Sequence, residues 1–294
     1  MTWDQKDHCE DWLLFPENLG PRLGIDETCL SNGELYTAVT NKAARGKRGS
    51  LVALIKGTKA SAISEVLMKI PTRDRVKVQE VTLDLANNMD WAVRECFPNA
   101  EKVSDRFHVQ QLVSDALQEM RVKERWKAIE EENEAVAVCR EQKARYRAGT
   151  YANGDTKKQL LARSRYLLFK PQGKWTDSQK ERTAILFTEF PELQEAYDLS
   201  MTFRSFYEHS KGRKEAEERL NRWYAKVDEK DFKSFYTASQ SIKAHEGTVL
   251  NYFSARATNA SAESFNAKLK GFRALVRGVT DRKFFLFRIA TIYG

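Results

Sequence analysis

The sequence predicts an α/β fold in which a mixed sheet is interrupted by a large all-helical block, and three observations predict it. Short strand-like runs separated by turn signals fill residues 22 to 105. From about residue 107 to 255 strand signals almost vanish and helical patterns take over. Neither a repeat period nor a low-complexity linker separates the two regions, so the helical block is expected to pack on the sheet domain.

In chain order, "RLGIDETCL", "ELYTAVTNKA" and "SLVALIKG" read as three strands. "SNG" (Ser31 to Gly33) reads as a tight hairpin turn between the first two, and the basic "ARGKRG" loop joins the second to the third. A helix, "SAISEVLMKI", stops at Pro71, and a fourth strand runs from Val78 to Leu85. The helix "NMDWAVRECF" ends at Pro98 and a short strand, "AEKVSDRF", follows. The order βββαβαβ, an antiparallel meander followed by parallel βαβ units, is the RNase H-like pattern. One or two long amphipathic helices then begin at His108, "ANGD" (Ala152 to Asp155) is a break, and further helices continue to about residue 246. Trp126, Trp175 and Trp223 in this block read as core residues. Near the C-terminus, "ATNASAESFNAKLKGFRALVRG" is a helix with Asn259 as its cap and Gly271 as its break, and "DRKFFLFRIATIYG" is a final apolar helix. The expected boundaries are an N-terminal segment 1–21, a sheet domain begun by 22–107, a helical insertion 108–255, and C-terminal helices 256–294 that complete the sheet domain.

The 294 residues include 49 basic and 41 acidic side chains, a net charge of +8. The pI near 9.2 favours a polyanionic partner. No apolar run approaches the roughly 20 residues a membrane span requires. The N-terminus carries acids where a signal peptide would carry basic and then apolar residues, so a cytoplasmic protein is expected. The four cysteines, Cys9, Cys29, Cys96 and Cys139, are scattered, form no CxxC pair and read as free thiols.

Asp26 in "LGIDE" and Asp84 in "VTLDL" are carboxylates set among apolar strand residues, where a charge is costly without a partner. In the RNase H-like order the first and fourth strands are central neighbours, so the two side chains can converge. Either each aspartate caps a turn, or the pair holds divalent cations that offset its mutual repulsion. A third oxygen ligand for Mg²⁺ is best supplied by Glu263, an acid on a helix otherwise charged by Lys268, Lys270 and Arg273. Asn259, Asn266 and Lys270 share its helical face.

Together, "LGIDE", "TLDLANNM", "VSDRFHVQQLVSDAL" and "NASAESFNAKLKGFRALVRG" occur in an order that resembles the DDE transposases of bacterial insertion sequences, in the ISL3 lineage. The likeness runs from about residue 22 to 294. It implies an RNase H-like fold with a long helical insertion before the helix that bears the catalytic glutamate. It also implies that Asp26, Asp84 and Glu263 are catalytic and bind Mg²⁺ (or Mn²⁺), two ions in all. Asp105 and His108 of "DRFH" match a motif at the end of the fifth strand, and with Asn259 and Asn266 they are placed as residues that support the ligands or position DNA.

The activity so implied is metal-dependent cleavage and transfer of DNA strands at transposon ends. Arg45, Lys47 and Arg48 in one loop, with Lys268, Lys270, Arg273 and Arg277 near the C-terminus, are the expected phosphate contacts. The partners are double-stranded DNA, both transposon ends and target, and further copies of the chain on DNA. Only 25 residues precede Asp26, fewer than the zinc-binding and helix-turn-helix region usual in relatives, so a separate end-recognition polypeptide is expected. The location is bacterial cytoplasm, associated with the nucleoid. Two other readings stand beside this one: another RNase H-like nuclease, and an inactive transposase-derived protein that binds DNA without cutting it.

Overall fold

A computed structural model of the chain describes residues 3–30, 34–256, 259–276, 278 and 281–294. The chain divides into two compact units, Met1–Val109 with His245–Gly294, and Gln110–Ala244.

The first unit is built on a six-stranded mixed sheet of β1 (Trp12–Leu14), β2 (Arg22–Cys29), β3 (Leu35–Asn41), β4 (Leu51–Lys56), β5 (Glu80–Leu83) and β6 (Glu101–Ser104). Its order is β1-β4-β3-β2-β5-β6. Pairing is antiparallel from β1 through β4 and β3 to β2, then parallel from β2 to β5 and from β5 to β6. The helices α1 (Ala60–Leu67), α2 (Thr72–Arg75) and α3 (Asn87–Cys96) separate the later strands. The sequence expectation lacked β1 and α2. β1 is three residues long, closely followed by Pro16, and shows no alternation from which a strand could be read. The expected strand Val78 to Leu85 is shorter than its apolar run, ending at Leu83, so Asp84 lies just beyond the hydrogen-bonded ladder. The expected turn Ser31 to Gly33 lies outside the described residues.

Alternation along β2 assigns the two faces of the sheet. Leu23 and Ile25 enter a core with Ile63, Val66 and Leu67 of α1 and Met89, Ala92 and Val93 of α3. The other face packs Ala38, Leu51 and Leu54 against α11 (Ala260–Leu275) and α12 (Arg282–Tyr293), through Phe265, Leu269, Leu286 and Ile289. Each such fully buried side chain contributes about 1.5–3 kcal/mol of apolar transfer energy, which fixes α11 to the sheet. α10 (Glu246–Ala255) belongs to this unit, held to β6 by Asn251 Nδ2 donating to Lys102 O at 2.8 Å and by Thr248 Oγ1 against Ser104 Oγ at 2.6 Å.

The second unit is helical among the described residues. It takes most of α4 (Arg106–Glu141), then α5 (Lys157–Arg163), α6 (Asp177–Glu189), α7 (Pro191–His209), α8 (Arg213–Lys230) and α9 (Lys233–Ala244). The "ANGD" break turns at Gly154, whose φ of 78° suits glycine. Thr156 and Gln159 then form a capping box that starts α5. Trp223 is fully buried, packs on Phe203 with ring centroids 4.7 Å apart, and donates to Leu199 O. Trp175 is half-buried against Tyr197 and Phe187. Trp126 is exposed, not core, since a position on a long helix need not face the packed stripe. Among the described residues no helix is long and apolar enough to cross a membrane.

Candidate active site

The parallel register of β2 and β5 pairs Arg22 with Glu80, Leu23 with Val81 and Gly24 with Thr82. Two residues further along each chain, that register brings Asp26 level with Asp84. Asp26 is buried and accepts from the Glu27 amide at 2.9 Å and from Asn266 Nδ2 at 2.7 Å. Burial pushes its carboxyl above the ordinary range, and the charge of Asp84 adds to this, while His108, the Glu27 amide and Asn266 act against it. Asp84 Oδ1 accepts from the Ala86 amide at 2.8 Å, capping the turn into α3. The turn-capping role therefore holds for Asp84, and it engages one oxygen of the two.

Glu263 stands in the first turn of α11, its amide bonded to Asn259 O. Its carboxyl is pushed up by burial first, then by the charge of Asp105 and a hydrogen bond to it, with Asp26 adding and His108 opposing. Glu263 therefore leans on Asp105 first and senses Asp26 second. Asp105 is buried at the start of α4, where Oδ1 accepts from the Phe107 amide at 3.4 Å and Oδ2 meets His108 Nδ1 at 3.2 Å. That hydrogen bond to Asp105 raises the His108 pKa, with the charges of Asp105, Asp26 and Asp84 in support and burial opposing.

Asn259 and Asn266 couple the acidic helix to β2. Asn259 Nδ2 donates to Ile25 O at 3.3 Å, and Asn266 Nδ2 donates to Asp26 Oδ2 and Glu27 O. Asn259 stands at the N-cap of α11, where its side chain makes no cap hydrogen bond and is turned instead towards β2. Gly24 makes this approach possible: a Cβ there would run into Asn259 Oδ1 and press on Thr40 Oγ1 and Ala262 Cβ. α11 also continues through Gly271 to Leu275, so that glycine does not break the helix.

Among the described residues no three histidine, cysteine or acidic side chains form a ready metal-ligand group. The donor chemistry nevertheless fits a hard divalent cation. Asp26, Asp84, Asp105 and Glu263 are oxygen donors within one electrostatic cluster, and the buried Oδ1 atoms of Asn259 and Asn266 have no hydrogen-bond partner.

Arg45, Lys47, Arg48, Lys268 and Lys270 are exposed, and Arg273 lies with its guanidinium 5.0 Å from the ring centre of Phe285. Lys268 Nζ donates to Gly46 O at 2.8 Å, so the basic loop after β3 and the basic half of α11 form one surface. Arg277 lies outside the described residues. Glu27, which no motif singles out, also belongs to the cluster: its carboxyl is pushed up by burial and then by the charges of Asp84 and Asp26, with Asn88 acting against this. Strand alternation points it away from Asp26, which hid its nearness to Asp84. Lys42 and Glu80 form a buried pair 2.8 Å apart, a contact between residues far apart in sequence that no local pattern shows.

A protein-family model described as a transposase, that of the ISL3 lineage of the DDE class, matches residues 23–289. No curated protein and no solved structure gives a significant match.

Proposed function

The chain belongs to the DDE transposases of the ISL3 lineage, and we propose that it cuts and joins DNA at transposon ends by metal-dependent phosphoryl transfer, with Asp26, Asp84 and Glu263 as its catalytic carboxylates. As an insertion-sequence transposase it takes DNA as its partner. What supports the mechanistic reading is the β2–β5 register, which sets Asp26 level with Asp84, together with the Asn266–Asp26 hydrogen bond, which ties the helix of Glu263 to β2. Asp26 comes from β2, Asp84 from the end of β5, and Glu263 from the first turn of α11. The strand order β4-β3-β2-β5-β6, with β2 and β5 parallel at its centre, supports an RNase H-like core.

Asp26, Asp84 and Glu263 would hold two Mg²⁺ or Mn²⁺ ions. Such a pair supplies an activated oxygen nucleophile and charge stabilisation at the leaving 3′-oxygen. The chain's own groups do the rest. Asn266 fixes the rotation of the Asp26 carboxylate by donating to Oδ2. Asp105 holds the His108 ring at Nδ1 and favours its cationic form beside the phosphate. Burial and the neighbouring Asp105 favour the protonated form of Glu263, so a cation that it would hold must compete with protons there. Lys47, Arg48 and Lys270 would take DNA phosphates, which gives affinity without a sequence code. End recognition by a separate polypeptide, and assembly of several copies on DNA, complete the reading.

Cleavage of labelled transposon-end DNA tests it. Mg²⁺ or Mn²⁺ is expected to support cutting and strand joining, while Ca²⁺ permits binding with little chemistry. Cutting without joining would favour another RNase H-like nuclease, and metal-independent binding without cutting would favour an inactive DNA-binding derivative.

A further inference from the structure

One exposed aromatic ring at the edge of the acid cluster has no role in the mechanism above. Phe107 is 58% exposed, the most exposed aromatic side chain among the described residues of the sheet unit. Single exposed apolar residues are ordinary on protein surfaces, so exposure alone carries no weight. The distinguishing feature is how Phe107 is held. It lies in the first turn of α4 between Asp105 and His108, its amide donating to Asp105 Oδ1 at 3.4 Å. Its ring meets the His108 ring edge to face, with centroids 5.6 Å apart and planes at 82°. Asp105 also bonds Glu263, so the aromatic ring is anchored to a residue that bonds a proposed catalytic acid. It joins neither of the two apolar cores of the sheet.

We propose that Phe107 stacks on an unpaired base beside the phosphate being cut, and that the DNA is therefore opened at that step. Bases inside a duplex already cover both faces of one another, so a protein ring can take a stacking position only where the strand is melted or ends. Successive nucleotides lie about 3.4 Å apart along a strand, so a ring this close to His108 is within one or two nucleotides of a phosphate held by the acids. Stacking on an aromatic ring tolerates any base, because every base has a π-face, which suits a residue that grips the junction whatever its sequence.

The inference rests on the transposase mechanism proposed above and adds a requirement on the shape of the substrate. Its test uses the full chain with Mn²⁺ and two labelled duplexes carrying the inverted repeats that border its gene. One duplex is fully paired and the other is mismatched at the bases flanking the cut. Phe107→Ala is expected to slow cutting of the paired duplex at least about 10-fold, yet to cut the mismatched duplex at close to the parent rate. Phe107→Trp, which keeps a stacking face, should stay within about 3-fold of the parent on both. Phe107→Ala cutting the paired duplex at the parent rate would overturn the inference. Equal slowing on both duplexes would overturn it too, since the ring would then serve the protein and not the opened strand. A parent chain that cuts neither duplex when its end-recognition partner is supplied would remove the underlying chemistry, a result read before any variant is compared.

Discussion

Asn266 donates to Asp26 across a separation of 240 residues, Nδ2 to Oδ2 at 2.7 Å. One hydrogen bond thus ties the central strand to the helix that carries Glu263. The same amide group also reaches Glu27 O, so it sets both the carboxylate and its strand against α11.

Asn266→Ala should therefore misorient Asp26 without removing any proposed ligand. Loss of a residue that orients a ligand typically costs 10–100-fold in metal affinity or activity, and about that loss in cleavage is expected. A metal titration should show the half-saturating Mg²⁺ concentration moving upward, with DNA affinity unchanged. An unaltered metal requirement would show that the bond is structural only.

The acid cluster also predicts an inverse relation between stability and activity. Asp26 and Glu263 both have raised carboxyl pKa values in the folded protein, chiefly through burial. Groups of this kind bind protons more tightly when folded. Their stabilisation is fully present below the ordinary carboxyl pKa of about 4 and is lost as pH rises through the raised values. Without metal, the site should therefore weaken the fold towards neutral pH, and Mg²⁺ should raise Tm there but have little effect near pH ~4. Asp26→Asn removes the buried charge, so it should melt higher than the metal-free parent at neutral pH. An increase of roughly 2–4 °C corresponds to about 1 kcal/mol in a protein of this size. A lower Tm would mean that the charge contributes to folding.

The joined basic surface makes a prediction about salt. Each phosphate contact contributes about 0.9 to the slope of log affinity against log salt concentration. Replacing both Lys47 and Arg48 with alanine should lower that slope by about 2 and weaken binding evenly across DNA sequences. A loss confined to one sequence would point to base reading by this loop.

Much of this arrangement was legible in the sequence. Asp26 and Asp84 stood out as carboxylates set within largely apolar strand runs, and Glu263 because its helix is otherwise basic. Pairings between distant residues were not legible. Nothing local announces that Glu263 will bond Asp105, or that Thr248 and Asn251 will fasten α10 to β6. Asn259 does stand at the N-cap of α11 as its sequence position suggests, but its side chain turns to Ile25 O, a partner 234 residues away that no local pattern shows. β1 escaped because three residues are too few to show a period of two.

Replacing Asp84 with asparagine tests the central claim most directly. Asparagine keeps an oxygen to accept the Ala86 amide, so the turn into α3 survives while the negative charge beside Asp26 is lost. Cleavage of labelled transposon-end DNA in Mg²⁺ should fall at least about 10²–10³-fold, the scale seen when a key electrostatic group leaves an active site. DNA binding should persist, because the proposed phosphate contacts are lysines and arginines and not the acids. An Asp84→Asn chain that cuts at the parent rate would contradict the account, removing Asp84 from the active site and the two-metal mechanism with it.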